Sequence, residues 1–388
     1  MFILTNRIFY PQEGGFSKLG SRHGEGGAND LRLVEVTRKG SGKHSIRIIP
    51  NWVTENDTDL WSHLTLSDEE LAAANESPSA SSDPDDPNAK PDAPAVFGSR
   101  YAAEKIIKGV NSGRDFVLFV HGFNVDLKGA VERAEQFEKD FGVEVVIFSW
   151  PAKGGGVAGT LNYRDDKRDA RSSAGALDRA IEKIHGYLAR FRERAVEDIM
   201  RESVERFPED RERQLEFVNR KIEKLCPYSL TLVCHSMGNY VLKYAVRSST
   251  AFSGSRAIFD NILLVAPDTN HDDHEFWVGK LQARNRLYIC INEDDFALAA
   301  SRVKVGVEQT ARLGHCVRLP HSPNAMYVDF TDAKAVGRSH GYFEVKKSEN
   351  EHVHDFFRRA MKGRRAEADV SGELLVYYPN TDTYRPQV

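Results

Sequence analysis

Short apolar runs alternate with stretches of helical spacing through most of this chain. Residues 115–120 and 143–150 are runs rich in Val, Phe and Ile that read as strands buried on both faces, and between them Leu127–Phe141 places its apolar residues at helical intervals. A helical pattern covers residues 168–191 and continues through a heavily charged stretch, 192–224, broken at Pro208. The run beginning at Tyr228 is a strand in its first half and helical from Asn239 to Ser248. Strand patterns then recur at 259–266, 286–292 and 326–330, and helical ones at 274–283, 298–305 and 352–361. Strands alternating with helices imply right-handed crossovers, so the pattern predicts an α/β fold: a mostly parallel sheet with helices on both faces.

The two ends read differently. Residues 31–36 and 45–49 are β-rich and joined by Lys-Gly-Ser-Gly-Lys, an N-terminal antiparallel hairpin that supplies the first two strands of the sheet. A short helix is expected over 66–75, with Ser67 as N-cap and Glu70 completing a capping box, and another over 101–110. Residues 76–95 are mostly Ser, Asp, Pro and Ala, too poor in large apolar groups to order themselves. The expected organisation is a hairpin and helix in 1–74, a disordered linker or loop in 75–96, and a core in 97–365 that carries the charged helical insertion 192–224. A polar tail, 366–388, has one strand-like run at 374–378.

At 388 residues, with 40% hydrophobic and 28% charged residues, the composition is that of an ordinary globular protein. A formal net charge of −4 gives no electrostatic footprint for nucleic acid. The first ten residues are broken by Asn6 and Arg7 and lack the form of a signal peptide, and no apolar run reaches a membrane span; a cytoplasmic location is the expectation. Cys226, Cys234, Cys290 and Cys316 are widely spaced, without zinc spacing, and read as reduced thiols.

The chemistry centres on His-Ser-Met-Gly at 235–238, where the strand meets the helix. A serine on such a turn has its hydroxyl lifted off the sheet and the next N–H at a helix N-terminus, where negative charge is stabilised. The turn usually reads G-x-S-x-G; here Gly238 keeps the second glycine and Cys234 replaces the first. Ser-x-Gly at a helix start is also ordinary capping chemistry. In a parallel sheet the residues just beyond the strands' carboxyl ends are the ones that meet ligands. His121-Gly122-Phe123-Asn124 is one such turn, and the N–H groups of Phe123 and Met237 are candidate oxyanion donors. Glu293-Asp294-Asp295 follows the strand at 286–292 and offers a carboxylate to orient an imidazole, or N-caps for the next helix; Asp268 competes for the same role. His340 follows the last strand, with His315 and His321 as rivals, and Ser236, Asp295, His340 run in the chain order of triads built on such turns. The run His271-Asp272-Asp273-His274 lacks a helical histidine pair, and no metal is expected there. Gly154-Gly155-Gly156 is not a phosphate loop, since no Lys-Ser or Lys-Thr follows it.

Together these residues resemble the α/β-hydrolase superfamily, and more closely a bacterial family of α/β hydrolases first described as a domain of unknown function. The likeness spans roughly residues 101–361. It is carried by Phe-Val-His-Gly-Phe-Asn at 119, Phe-Ser-Trp-Pro at 148, Tyr-Arg-Asp-Asp at 163, His-Ser-Met-Gly-Asn at 235, Ala-Pro-Asp at 266, Asp-Phe-Ala-Leu at 295 and Ser-His-Gly-Tyr-Phe at 339. The resemblance implies a serine hydrolase: Ser236 as nucleophile, His340 as base and acid, Asp295 as orienting carboxylate, Phe123 and Met237 as oxyanion hole, with no cofactor and no metal. Tyr163 and Asp166 match a further part of that pattern, and a hydrogen bond shaping the loop near the site is their modest reading. The expected substrate is a small-molecule acyl ester; thioesters and lipids are alternatives, as is a catalytically silent hydrolase fold serving as an interaction scaffold through its charged helices. A protein partner or a homo-oligomer is left open.

Overall fold

In the computed structural model, residues 1–40, 42–50, 101, 113–155, 162–222, 229–249, 257–302, 310–369 and 372–387 are described. The expected helix at 66–75, the polar stretch 76–95, the helix at 101–110 beyond Tyr101, the end of the helix at 298–305 and Cys226 lie outside the described residues.

The strands, in chain order, are β1 (Phe2–Thr5), β2 (Arg7–Phe9), β3 (Leu19–His23), β4 (Arg32–Arg38), β5 (His44–Ile49), β6 (Phe116–Val120), β7 (Glu144–Ser149), β8 (Leu230–His235), β9 (Phe259–Val265), β10 (Ala283–Ile291), β11 (Met326–Asp329), β12 (Ala368–Asp369), β13 (Gly372–Glu373), β14 (Leu375–Tyr378) and β15 (Thr383–Pro386). The helices are α1 (Leu127–Phe141), α2 (Tyr163–Ser172), α3 (Ala174–Arg206), α4 (Arg211–Ile222), α5 (Gly238–Ser248), α6 (His274–Val278), α7 (Phe296–Arg302) and α8 (Glu351–Met361). The main sheet has eleven strands in the order β14-β15-β11-β10-β9-β8-β6-β7-β1-β4-β5. From β15 to β1 every neighbouring pair is parallel, while β4–β5 and β14 close the two edges with antiparallel pairs.

Full burial explains the unbroken apolar runs. Every residue of β6 and β8 is buried, because helices cover both faces. On one face α1 and α8 pack with Val117, Phe119 and Val233; on the other α2, α3 and α5 pack with Leu118, Leu232 and Cys234. Helix α1 is bounded by local chemistry, with Asp126 accepting from the Gly129 N–H at its start and Gly142 in the left-handed conformation at its end.

The ends of the sheet differ from their sequence reading. The predicted hairpin forms, but at an edge, and it reaches the parallel strands through β1, a four-residue strand too short for a periodic signal. The tail likewise supplies β14 and β15, the latter parallel to β11. The helical pattern at 274–283 stops at Val278, and β10 starts at Ala283, earlier than expected. The charged stretch folds back as the helical pair α3–α4 around Ile199, Phe217 and Val218. Among the described residues no helix is long and apolar enough to cross a membrane.

The chain leaves β7 on one side of β6 and re-enters the sheet at β8 on the other, so the order reverses between β6 and β8. A crevice opens beyond the carboxyl ends at such a point. At Gly238 two backbone segments pass close together: a Cβ there would sit against the carbonyl oxygens of Val120 and His121, the latter 2.8 Å away. Backbone cannot yield as a flexible side chain would, so Gly238→Ala is expected to cost about 2 kcal/mol or more. A urea titration checks this, and an unchanged midpoint would refute it.

Candidate active site

Strand β8 ends at His235, and Ser236 turns the chain into α5 with a φ of +54°. A β-substituted residue in that region costs about 1–3 kcal/mol and persists only where its surroundings over-determine it. They do so here. The Ser236 N–H donates to the Val265 carbonyl (3.0 Å), and its own carbonyl accepts from the N–H groups of Asp268 (3.2 Å) and Asn239 (3.1 Å). The buried Asn239 amide adds a bond to the Cys234 carbonyl at 2.9 Å. Cys234 points into the core between α5 and the sheet, and burial raises its thiol pKa, so a small apolar side chain serves where a glycine was expected. The close approach falls to Gly122, whose Cβ would lie 2.7 Å from that of Ser236.

His340 and Asp295 meet. Nδ1 of His340 lies 2.6 Å from Oδ2 of the fully buried Asp295. The other oxygen, Oδ1, accepts the N–H groups of Ala297 (2.9 Å) and Leu298 (3.1 Å), so one carboxylate both caps α7 and orients the imidazole. The His340 ring lies against that of His235, the residue before Ser236, with centroids 4.6 Å apart. His235 is buried beside His340, which drives its pKa far down; its Nε2–H donates to the His340 carbonyl at 3.0 Å. Two buried side chains hold the histidine loop: the Asn292 amide donates to the carbonyls of Gly337 (2.9 Å) and Ser339 (3.0 Å), and the Tyr342 hydroxyl to that of Cys290 (2.8 Å).

Three of the competing groups, Glu293, Asp268 and His321, are engaged elsewhere. Glu293 accepts from the Val317 N–H, and Asp268 forms a buried ion pair with Arg312 at 3.2 Å while accepting the Tyr163 hydroxyl at 2.9 Å. His321 stacks on Tyr327 at 3.7 Å and approaches Asp382. In the run His271–His274, where no metal was expected, His274 contacts the His271 carbonyl with Nδ1 and the Tyr327 hydroxyl with Nε2 at 2.6 Å, and burial pushes its pKa down to about 4.

Met237 stands at the N-terminus of α5, and Phe123 follows β6 with its ring edge-on to Tyr163 at 5.3 Å. Asp166, one turn further along α2, is fully buried and accepts the Lys153 N–H at 3.3 Å on both oxygens. Burial pushes its pKa up to about 6, against backbone hydrogen bonds from Lys153 and Asn124 that favour the carboxylate. The first turn of α2 therefore ties the loop after β7 to the loop after β6, and through Asp268 to the serine turn. Asn292 and Arg312 were not singled out in the sequence, because Asn292 meets backbone carbonyls of the distant histidine loop and Arg312 meets the side chains of Asp268 and Ser301 across the fold.

The family described as alpha/beta hydrolase of unknown function (DUF900) matches residues 100–194 and 197–343, more than half of the chain. The chain belongs to this family. The matched region of this α/β hydrolase runs from before β6 to Phe343, through Ser236, Asp295 and His340, and includes α4 of the charged helical pair. Strands β1–β5 and the hairpin β14–β15 lie outside it. No curated protein and no solved structure matches the chain.

Proposed function

We propose that this α/β hydrolase cleaves carboxylic esters through an acyl-enzyme on Ser236. The observation that carries the reading is the His340–Asp295 bond beside the strained serine turn. A carboxylate on Nδ1 holds the proton there and leaves Nε2 as the basic nitrogen, which a serine hydroxyl needs before it can attack. Ser236 Oγ adds to the ester carbonyl as His340 takes its proton. The oxyanion is stabilised by the N–H groups of Phe123 and Met237, and the proton passes from His340 to the departing alcohol. A water then loses its proton to His340 and attacks the acyl-enzyme, releasing the acid and restoring Ser236. Asp295 compensates the charge that His340 carries in both steps.

A fluorophosphonate probe tests this reading, since it phosphonylates only a serine activated in this way. The protein is expected to be labelled on Ser236, and the Ser236→Ala and His340→Ala proteins to be unlabelled. A folded protein that resists the probe, or a Ser236→Ala protein that is still labelled, would overturn the reading.

A further inference from the structure

Arg7 enters the core from β2 and is 1% exposed. Its guanidinium donates through Nε to Ser149 Oγ (3.0 Å) and through its terminal nitrogens to the carbonyls of Gly20 (3.1 Å), Ala152 (3.1 Å) and Val125 (3.4 Å). None of these acceptors is a carboxylate. Burial lowers the Arg7 pKa to about 10, with Asp126 and Asp166 opposing this from a distance. A buried cation without a bonded counter-ion is costly, so what it faces is informative.

Ser149 Oγ also lies 3.1 Å from Nε2 of His121, whose Nδ1 lies 3.0 Å from the Gly122 carbonyl. Donor and acceptor types settle the direction of every bond. A carbonyl only accepts, so Nδ1 carries the proton. His121 is fully buried beside Arg7, which pushes its pKa down to about 3, so the ring is neutral and Nε2 is an acceptor. Ser149 therefore donates to Nε2 and accepts from Arg7, which can only donate. The result is a one-way chain, from Arg7 to Ser149 to His121 to the carbonyl of Gly122. That carbonyl belongs to the peptide whose N–H is that of Phe123. In a trans peptide the two groups point in opposite directions, so fixing one fixes the other. Trp150 holds the other side of His121, stacking on its ring at 5.3 Å and donating Nε1–H to its carbonyl at 2.9 Å.

We propose that Arg7, Ser149 and His121 form a buried positioning relay that orients and polarises the Phe123 amide as oxyanion donor. The proposal rests on the serine-hydrolase reading of the site. Hydrogen-bonded chains polarise along their length, and a cation at the donor end draws electron density out of the Gly122 carbonyl, making the Phe123 N–H a stronger donor. None of the three touches the substrate; they act through one peptide plane. Strand β1, outside the family match, pairs with β7 and leads into β2, which carries the cation to the site.

Ser149→Ala removes the one hydroxyl in the middle of the chain. With a p-nitrophenyl ester, kcat is expected to fall about 10- to 100-fold, less than removal of a whole oxyanion donor, with KM within about twofold. The inhibition constant of a trifluoromethyl ketone, whose hemiketal places an oxyanion on the same donors, should rise by the factor by which kcat/KM falls. Thermal unfolding of the same protein establishes that it is folded. An unchanged kcat, a loss confined to KM, or a ketone that binds as tightly as before would overturn the relay. Wild-type protein labelled by the fluorophosphonate alongside such a result would overturn the relay alone; unlabelled wild-type protein would overturn the relay and the hydrolase reading together. If Ser149→Ala does not fold, Arg7→Met takes its place, with the same three outcomes.

Discussion

Ester turnover by the Ser236→Ala protein is expected to fall about 10⁵- to 10⁶-fold, the scale seen when the nucleophile of a serine triad is removed. Ser236→Gly should lose as much activity, yet it separates two properties of the residue. With a φ of +54°, Ser236 occupies a backbone region that costs any side chain bearing a Cβ. Alanine keeps that cost and glycine relieves it. The glycine protein is therefore expected to be more stable than wild type by about 0.5–1 kcal/mol, the strain released less the extra entropy glycine loses on folding. Chemical denaturation of the three proteins reads this directly. A glycine protein less stable than the alanine protein would show that the turn is not strained.

Asp295→Asn is expected to lower kcat about 10⁴-fold while leaving the fold nearly as stable as before. The carboxylate has two tasks, one on each oxygen: Oδ1 accepts two N–H groups at the start of α7, and Oδ2 accepts from His340. Asparagine is an equally good N-cap, so its oxygen stays with Ala297 and Leu298 and its NH2 turns toward Nδ1. An NH2 group cannot accept a proton. The imidazole must then carry its hydrogen on Nε2 and can no longer act as a base. Asp295→Ala removes both tasks and should add about 1 kcal/mol of instability to the lost activity. Steady-state kinetics with thermal unfolding distinguishes the variants. An asparagine protein within tenfold of wild-type kcat would mean that Asp295 serves only as a cap.

The sequence by itself determined the class of fold and the order of the parts that matter. Burial on both faces demands continuous apolar runs, so β6, β8 and β9 were legible with boundaries good to a residue or two. The serine turn was legible because a left-handed residue followed by a close backbone contact leaves a local trace, Ser236 and then Gly238. The capping of α7 by Asp295 was legible for the same reason, since its partners are two and three residues away. Tertiary structure alone decided what depends on groups far apart in the chain. Of the three adjacent acids and Asp268, it sets Asp295 within hydrogen-bond distance of His340, and it pairs Asp268 with Arg312 and Tyr163. It placed β1 between β7 and β4, a position that four residues cannot announce because short strands are specified by their neighbours. It also brought Arg7 to Ser149 and His121, a meeting that no spacing along the chain records. Hydrogen bonds between distant buried groups leave no periodicity behind, so the scaffold beneath the site was the part the sequence could not show.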